Sequence, residues 1–150
     1  MMTEVPPPQG KKQELRKDTR FRIDDASPLV YKEGLLASFG IGRSNEARAA
    51  VNLSEGGLLI RAEERLKAGT KVTVRLTIEK FNDVIEAKGI VRWCVQRAGG
   101  EAEFYAGIRF TQIPAPAISK ISALRGYFTS PEYRSRRSAR RRDVLGLGLL

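Results

Sequence analysis

A chain of 150 residues, 41% hydrophobic and 29% charged, has material for one domain with a core and too little for two. It holds no histidine and a single cysteine, Cys94, which removes the usual proton shuttle near neutral pH, the commonest nitrogen ligand for metals and any internal disulfide. The formal net charge of +10 points to an anionic partner, and it sits mainly at the two ends, net +3 over residues 1–22 and net +4 over 131–150.

No Gly-x-Ser-x-Gly, Walker loop or dinucleotide fingerprint occurs, so the chain reads as a non-enzyme without cofactor or metal. No apolar run reaches the roughly 20 residues of a membrane-spanning helix. The start, Met1 to Pro8, has neither the basic region nor the apolar stretch of a secretory signal. Together with Cys94, expected as a small buried hydrophobe in a reducing compartment, this predicts a cytoplasmic protein.

In chain order, residues 1–13, with Pro6 to Pro8 and Gly10-Lys11-Lys12, lack apolar periodicity and are predicted to be a disordered leader before a domain over 14–130. The domain opens on Arg16-Lys17-Asp18-Thr19-Arg20, an Arg-x-x-x-Arg element followed by Phe21 and Arg22. Arginine makes up 18 of 150 residues, and the same spacing recurs at Arg61/Arg65, Arg136/Arg140 and Arg137/Arg141, so position must supply its specificity. Short strands are predicted near 28–32, 35–39, 46–52 and 57–61. The stretch Asn52-Leu53-Ser54-Glu55-Gly56-Gly57 lies between apolar runs, where its polar side chains should crown a turn and stand exposed. The same residues are good turn formers without any ligand.

From Thr70 the alternation is strict: Val72, Val74, Leu76 and Ile78 share one face, Thr73, Arg75, Thr77 and Glu79 the other. After a turn at Asn82-Asp83, Ile85, Ala87, Gly89, Val91, Trp93 and Val95 are predicted to face inward. This assigns Trp93 to core packing rather than base stacking, and Gly89 to relief of crowding. Gly99-Gly100 turns the chain into a last strand marked by Phe104, Ala106, Ile108 and Phe110. Pro114 and Pro116 end it, and the period changes: Ala117, Ile121, Leu124 and Phe128, with Ile118 alongside, form one face of a helix closing a mouth of the barrel. Residues 131–150 offer no core face and are predicted to be an Arg-rich disordered tail, suited to an acidic partner or a membrane surface. Many short antiparallel strands capped by one helix predict a mainly all-β fold closed, or nearly closed, into a barrel.

The Arg-x-x-x-Arg element and the Asn-x-Ser-x-x-Gly loop, in this order, resemble the PilZ-domain family of cyclic di-GMP receptors. Gly57-Leu58-Leu59-Ile60, Gly89-Ile90-Val91-Arg92-Trp93, Gly107-Ile108-Arg109-Phe110 and the closing helix extend the resemblance over roughly residues 14–128. It implies a six-stranded antiparallel β-barrel with a C-terminal α-helix, and cyclic di-GMP bound by Arg16, Arg20, Asn52, Ser54 and Gly57, with Leu15, Lys17 and Arg22 as additional candidates. The chemistry is coherent. Cyclic di-GMP is a dianion with two flat purines, and an arginine can bond phosphate oxygens, read guanine O6 and N7, or stack on a base. Asn52 and Ser54 offer a carbonyl and a hydroxyl to a guanine edge. Leu15, directly before the arginine element, adds no charge for a second ligand and predicts one cyclic di-GMP per chain. The expected role is a receptor or adaptor in bacterial second-messenger signalling, with a motility, biofilm or secretion output through an unknown protein partner. Two alternatives are a basic barrel that binds nucleic acid, disfavoured by 7% aromatic residues with no stacking platform evident in the sequence, and a docking subunit indifferent to ligand.

Overall fold

The structure, a computed structural model, describes residues 19–34, 44–97, 99 and 103–137. Seven strands are present: β1 (Phe21–Arg22), β2 (Ala26–Lys32), β3 (Ala49–Ser54), β4 (Gly57–Ala62), β5 (Lys71–Ile78), β6 (Asp83–Gln96) and β7 (Phe104–Gln112). Helix α1 spans Ala115–Phe128, and residues 131–137 form a second helical segment, α2. All pairings are antiparallel, in the order β1-β3-β4-β7-β6-β5-β2.

That order forces the sheet to curl. Strands β1 and β2 lie at opposite edges, yet Arg22 and Ala26 are four residues apart, a reach of at most about 14 Å. Asp25 makes the corner at φ 56°, a left-handed conformation that Asp tolerates better than most residues. Asn45 helps to close the other side of the gap. Its Oδ1 accepts the Val30 N–H at 2.8 Å, its Nδ2 donates to the Pro28 carbonyl at 2.9 Å, and the Glu46 N–H donates to the Val30 carbonyl at 2.8 Å. A side-chain amide thus supplies the ladder bonds that the β2 edge lacks.

The strictly alternating β5 buries Val72, Val74, Leu76 and Ile78, as its sequence predicts. With Leu53, Ile60, Ile85 and Val91 these fill the barrel, and Ala117, Ile121, Leu124 and Phe128 of α1 cover one end. The helix is pinned by Lys120, which donates to the Val84 carbonyl at 3.2 Å and pairs with Asp83 at 2.8 Å.

Several expectations are corrected. The sheet has seven strands rather than six, the addition being the two-residue β1. The strand expected at 46–52 is displaced to Ala49–Ser54, because Asn45 to Ala47 are spent on closure; the one expected at 35–39 lies outside the described residues, as does the leader 1–13. Ile118 is not on the buried face of α1 but 37% exposed. The boundary at 130 also moves. Tyr133 is only 5% exposed, its ring lies 4.9 Å from that of Phe128, and its hydroxyl donates to Asp24, so a core face exists beyond Pro131. Burial, then the Asp24 hydrogen bond, push the Tyr133 phenol above its ordinary pKa and keep it protonated.

Candidate anion-binding cleft

Directly opposed residues on antiparallel strands project to the same side of the sheet. The register therefore builds an outer-face row across four strand pairs: Arg22 opposite Asn52, Asn52 opposite Leu59, Leu59 opposite Gly107, and Gly107 opposite Trp93. The next row runs Ser54, Gly57, Arg109, Ile90. Over these rows lies a cleft of about 580 Å³, within the size range of small-molecule sites, lined among others by Arg20, Asn52, Ser54, Gly57, Trp93 and Arg109.

Trp93 owes its place to a β-bulge. Val91 pairs with Ile108 and Trp93 with Gly107, leaving Arg92 as an extra residue on β6. One extra residue reverses the alternation, so Trp93 is 38% exposed on the outside and Val95 is exposed too, contrary to the inward placement of both. Cys94 instead turns toward the core, half-buried, and accepts the Leu66 N–H at 3.4 Å. The indole lies on Gly107: a Cβ there would stand 2.5 Å from it. The Gly107-Ile108-Arg109 and Arg92-Trp93 sequences carried this signal as a strand glycine opposite an aromatic, but the bulge that pairs them leaves no mark in the alternation. Gly89 behaves as expected: a Cβ would meet the Arg109 carbonyl at 2.7 Å.

The Asn52–Gly57 stretch, formed by the end of β3, a two-residue turn at Glu55-Gly56 and the start of β4, is less exposed than its turn chemistry predicts. Ser54 is 4% exposed and its Oγ accepts the Gly56 N–H at 3.2 Å, which leaves the hydroxyl proton free to be donated. Asn52 is half-buried. Gly57 is required by the sheet itself, since a Cβ would collide with the Ile108 carbonyl of β7.

Glu55, between these residues, faces helix α1. Its carboxylate takes a two-pronged contact from Arg125, with Nη1 to Oε2 at 2.6 Å and Nη2 to Oε1, and accepts the Ser122 hydroxyl at 2.8 Å. The Arg125 hydrogen bond, ahead of the Ser122 bond that also favours the anion, outweighs burial and lowers the Glu55 pKa to about 2. The electrostatics of the cleft are one-sided. Among the described residues, Arg20, Arg22, Arg92 and Arg109 have no ion-pair partner, whereas the seven ion pairs engage other cations. Four of the expected site residues, Arg20, Asn52, Ser54 and Gly57, are thus brought to one cleft. Arg22 is exposed beside Asn52 on the same face. Leu15, Arg16 and Lys17 lie outside the described residues.

The architecture is a curled antiparallel sheet with a closing helix and a cationic outer cleft. The PilZ domain family matches over residues 14–126, and the chain belongs to that family. Its structure is similar to the PilZ domain with c-di-GMP of YcgR from Escherichia coli, at 16% identity and a TM-score of 0.56, covering 83% of this chain and 96% of that one. None of the curated proteins compared matches the sequence. Among the described residues no helix is long and apolar enough to cross a membrane, and no cluster of metal-ligating side chains occurs.

Proposed function

We propose that this protein is a non-enzymatic cytoplasmic receptor that binds cyclic di-GMP in the outer cleft. The observation that carries the reading is the convergence of uncompensated arginines, a polar loop and an exposed indole on one face of a PilZ fold. The ligand named for the Escherichia coli domain supports it. Arg20, with Arg16 from the preceding segment, would take the phosphates or the Hoogsteen edge of a guanine in forked hydrogen bonds. Asn52 and the free proton of Ser54 would read the guanine edge, and Gly57 keeps the loop close to β7. Trp93 supplies a flat apolar surface for a purine, with Arg92 and Arg109 as further cations. Leu15 adds no charge, which favours one ligand per chain. The output, in motility, biofilm formation or secretion, would run through a protein partner that recognises the liganded face.

Calorimetric titration with cyclic di-GMP, run beside a generic single-stranded oligonucleotide at two salt concentrations, tests this reading. Saturation at one ligand per chain, with weaker and steeply salt-dependent oligonucleotide binding, is the expected result. Oligonucleotide binding tighter than cyclic di-GMP binding would favour the nucleic-acid reading, and two ligands per chain would overturn the role given to Leu15.

A further inference from the structure

Arg125 contacts both halves of the cleft without lining it. Besides gripping Glu55, which sits between Ser54 and Gly56, it donates from Nε at 3.2 Å and from Nη2 at 3.0 Å to the carbonyl of Thr19, the residue before Arg20. Its guanidinium also lies over the Phe21 ring, 5.5 Å from the centroid. The loop and the arginine segment come from chain positions more than 30 residues apart, and among the described residues the backbone joins them through a short ladder, the two-residue β1 and the Ile23 N–H to Val51 carbonyl bond at 3.3 Å. A planar fork with donors along two edges can serve both acceptors at once; an ammonium is a point charge and cannot hold the same geometry. The pair is largely enclosed, at 24% and 17% side-chain exposure, unlike the Arg75–Glu86 pair at 49% and 62%.

We infer that Arg125 is a positioning residue of the cleft: from helix α1 it fixes the separation between Arg20 and the Asn52–Gly57 loop, so the two halves stand assembled before ligand arrives. The inference rests on the cyclic di-GMP reading for its ligand but not for its geometry. Neighbouring Leu124 and Phe128 carry the helix's contact with the core, so the guanidinium is separable from folding. The downstream side of the same segment is held by C-terminal residues as well, since Asp24 accepts from Tyr133 and pairs with Arg137 at 3.6 Å.

The test has a ligand-free arm and a ligand arm. In the absence of nucleotide, Arg125→Gln should speed amide exchange both at residues 20–23 and at 54–57, whereas Glu55→Gln should loosen the loop more than the segment. With cyclic di-GMP, Arg125→Gln should weaken binding about tenfold in the parent and less than about threefold in an Arg20→Ala background, because a residue acting through Arg20 loses its effect once Arg20 is gone. Arg125→Lys, which keeps the charge, should fall between parent and Arg125→Gln. Equal losses in both backgrounds, unchanged affinity in Arg125→Gln, or unchanged exchange at both segments would overturn the inference. A parent protein that binds no cyclic di-GMP would refute the ligand assignment instead, and the exchange arm would still decide whether Arg125 positions the segment.

Discussion

Two populations of arginines on the outside of this barrel stand in contrast. Away from the cleft, Arg48 pairs with Glu63, Arg61 and Arg97 share Glu103 at 2.8 and 2.6 Å, and Arg75 meets Glu86 at 2.6 Å. Around the cleft, Arg20, Arg22, Arg92 and Arg109 have no carboxylate partner among the described residues. Exposed pairs of the first kind add little stability, since solvent screens them, but they neutralise the surface. The second kind gathers like charges beside an indole, which costs self-repulsion unless an anion relieves it. The contrast separates a solvated face from the proposed binding face more sharply than the net charge of +10 does.

The largest expected effect breaks the cationic side. Arg20→Ala or Arg16→Ala should weaken cyclic di-GMP binding by one to two decades, about 1.5–3 kcal/mol, with the melting temperature little changed, as read by titration and calorimetric melting. Unchanged affinity in both variants would falsify their assignment to the site.

Glu55 tests a third kind of pair, the enclosed one. Its folded pKa of about 2 lies below the ordinary 4.5, so the stabilisation is complete above pH 4.5 and is lost as pH falls from 4.5 through about 2. Acid titration of stability should show Glu55→Gln less stable at neutral pH and losing on the order of 2 kcal/mol less than the parent across that window, the remaining loss coming from other paired carboxylates such as Asp83, which Lys120 also holds below its ordinary pKa. Identical acid profiles for the two proteins would remove the pair from the account. Next in size, Trp93→Ala should reduce cyclic di-GMP affinity by about 1–2 kcal/mol through lost stacking, whereas a core role would show as a large loss of stability with affinity spared. Asn52→Ala should cost about 1 kcal/mol and erode selectivity over cyclic di-AMP, measured by competition; equal discrimination in parent and variant would end its edge-reading role. Smallest of all, Arg75→Ala on the paired face should change stability by less than about 0.5 kcal/mol and affinity not at all.

The sequence shows most plainly those features that depend on local period. Strands β5 and β7 follow from alternation, and the buried face of α1 from the 117, 121, 124, 128 spacing. The polar loop is visible as turn chemistry between apolar runs. What fails does so wherever one residue is added or one long-range contact decides. The bulge at Arg92 turns Trp93 outward, and no composition or period encodes it. Closure through Asn45 is a side chain standing in for a strand, and Tyr133 is buried by packing on Tyr127 and Phe128 while Asp24, 109 positions away, accepts its hydroxyl. Turn chemistry predicts Ser54 exposed; the structure makes it the last residue of β3, buried, with its Oγ accepting the Gly56 N–H. The Arg125 brace joins residues 70 and 106 positions apart, far beyond any window in which charge patterning is read.

The most direct test of the two-population account is to map cyclic di-GMP onto the folded protein by amide chemical-shift perturbation. The account predicts that saturating ligand moves the outer-face rows, Arg22, Asn52, Leu59, Gly107 and Trp93 with Ser54 and Arg109, and leaves Arg75, Glu86 and their neighbours on β5 and β6 unmoved. Shifts centred on the paired face, or spread evenly over the barrel, would contradict it.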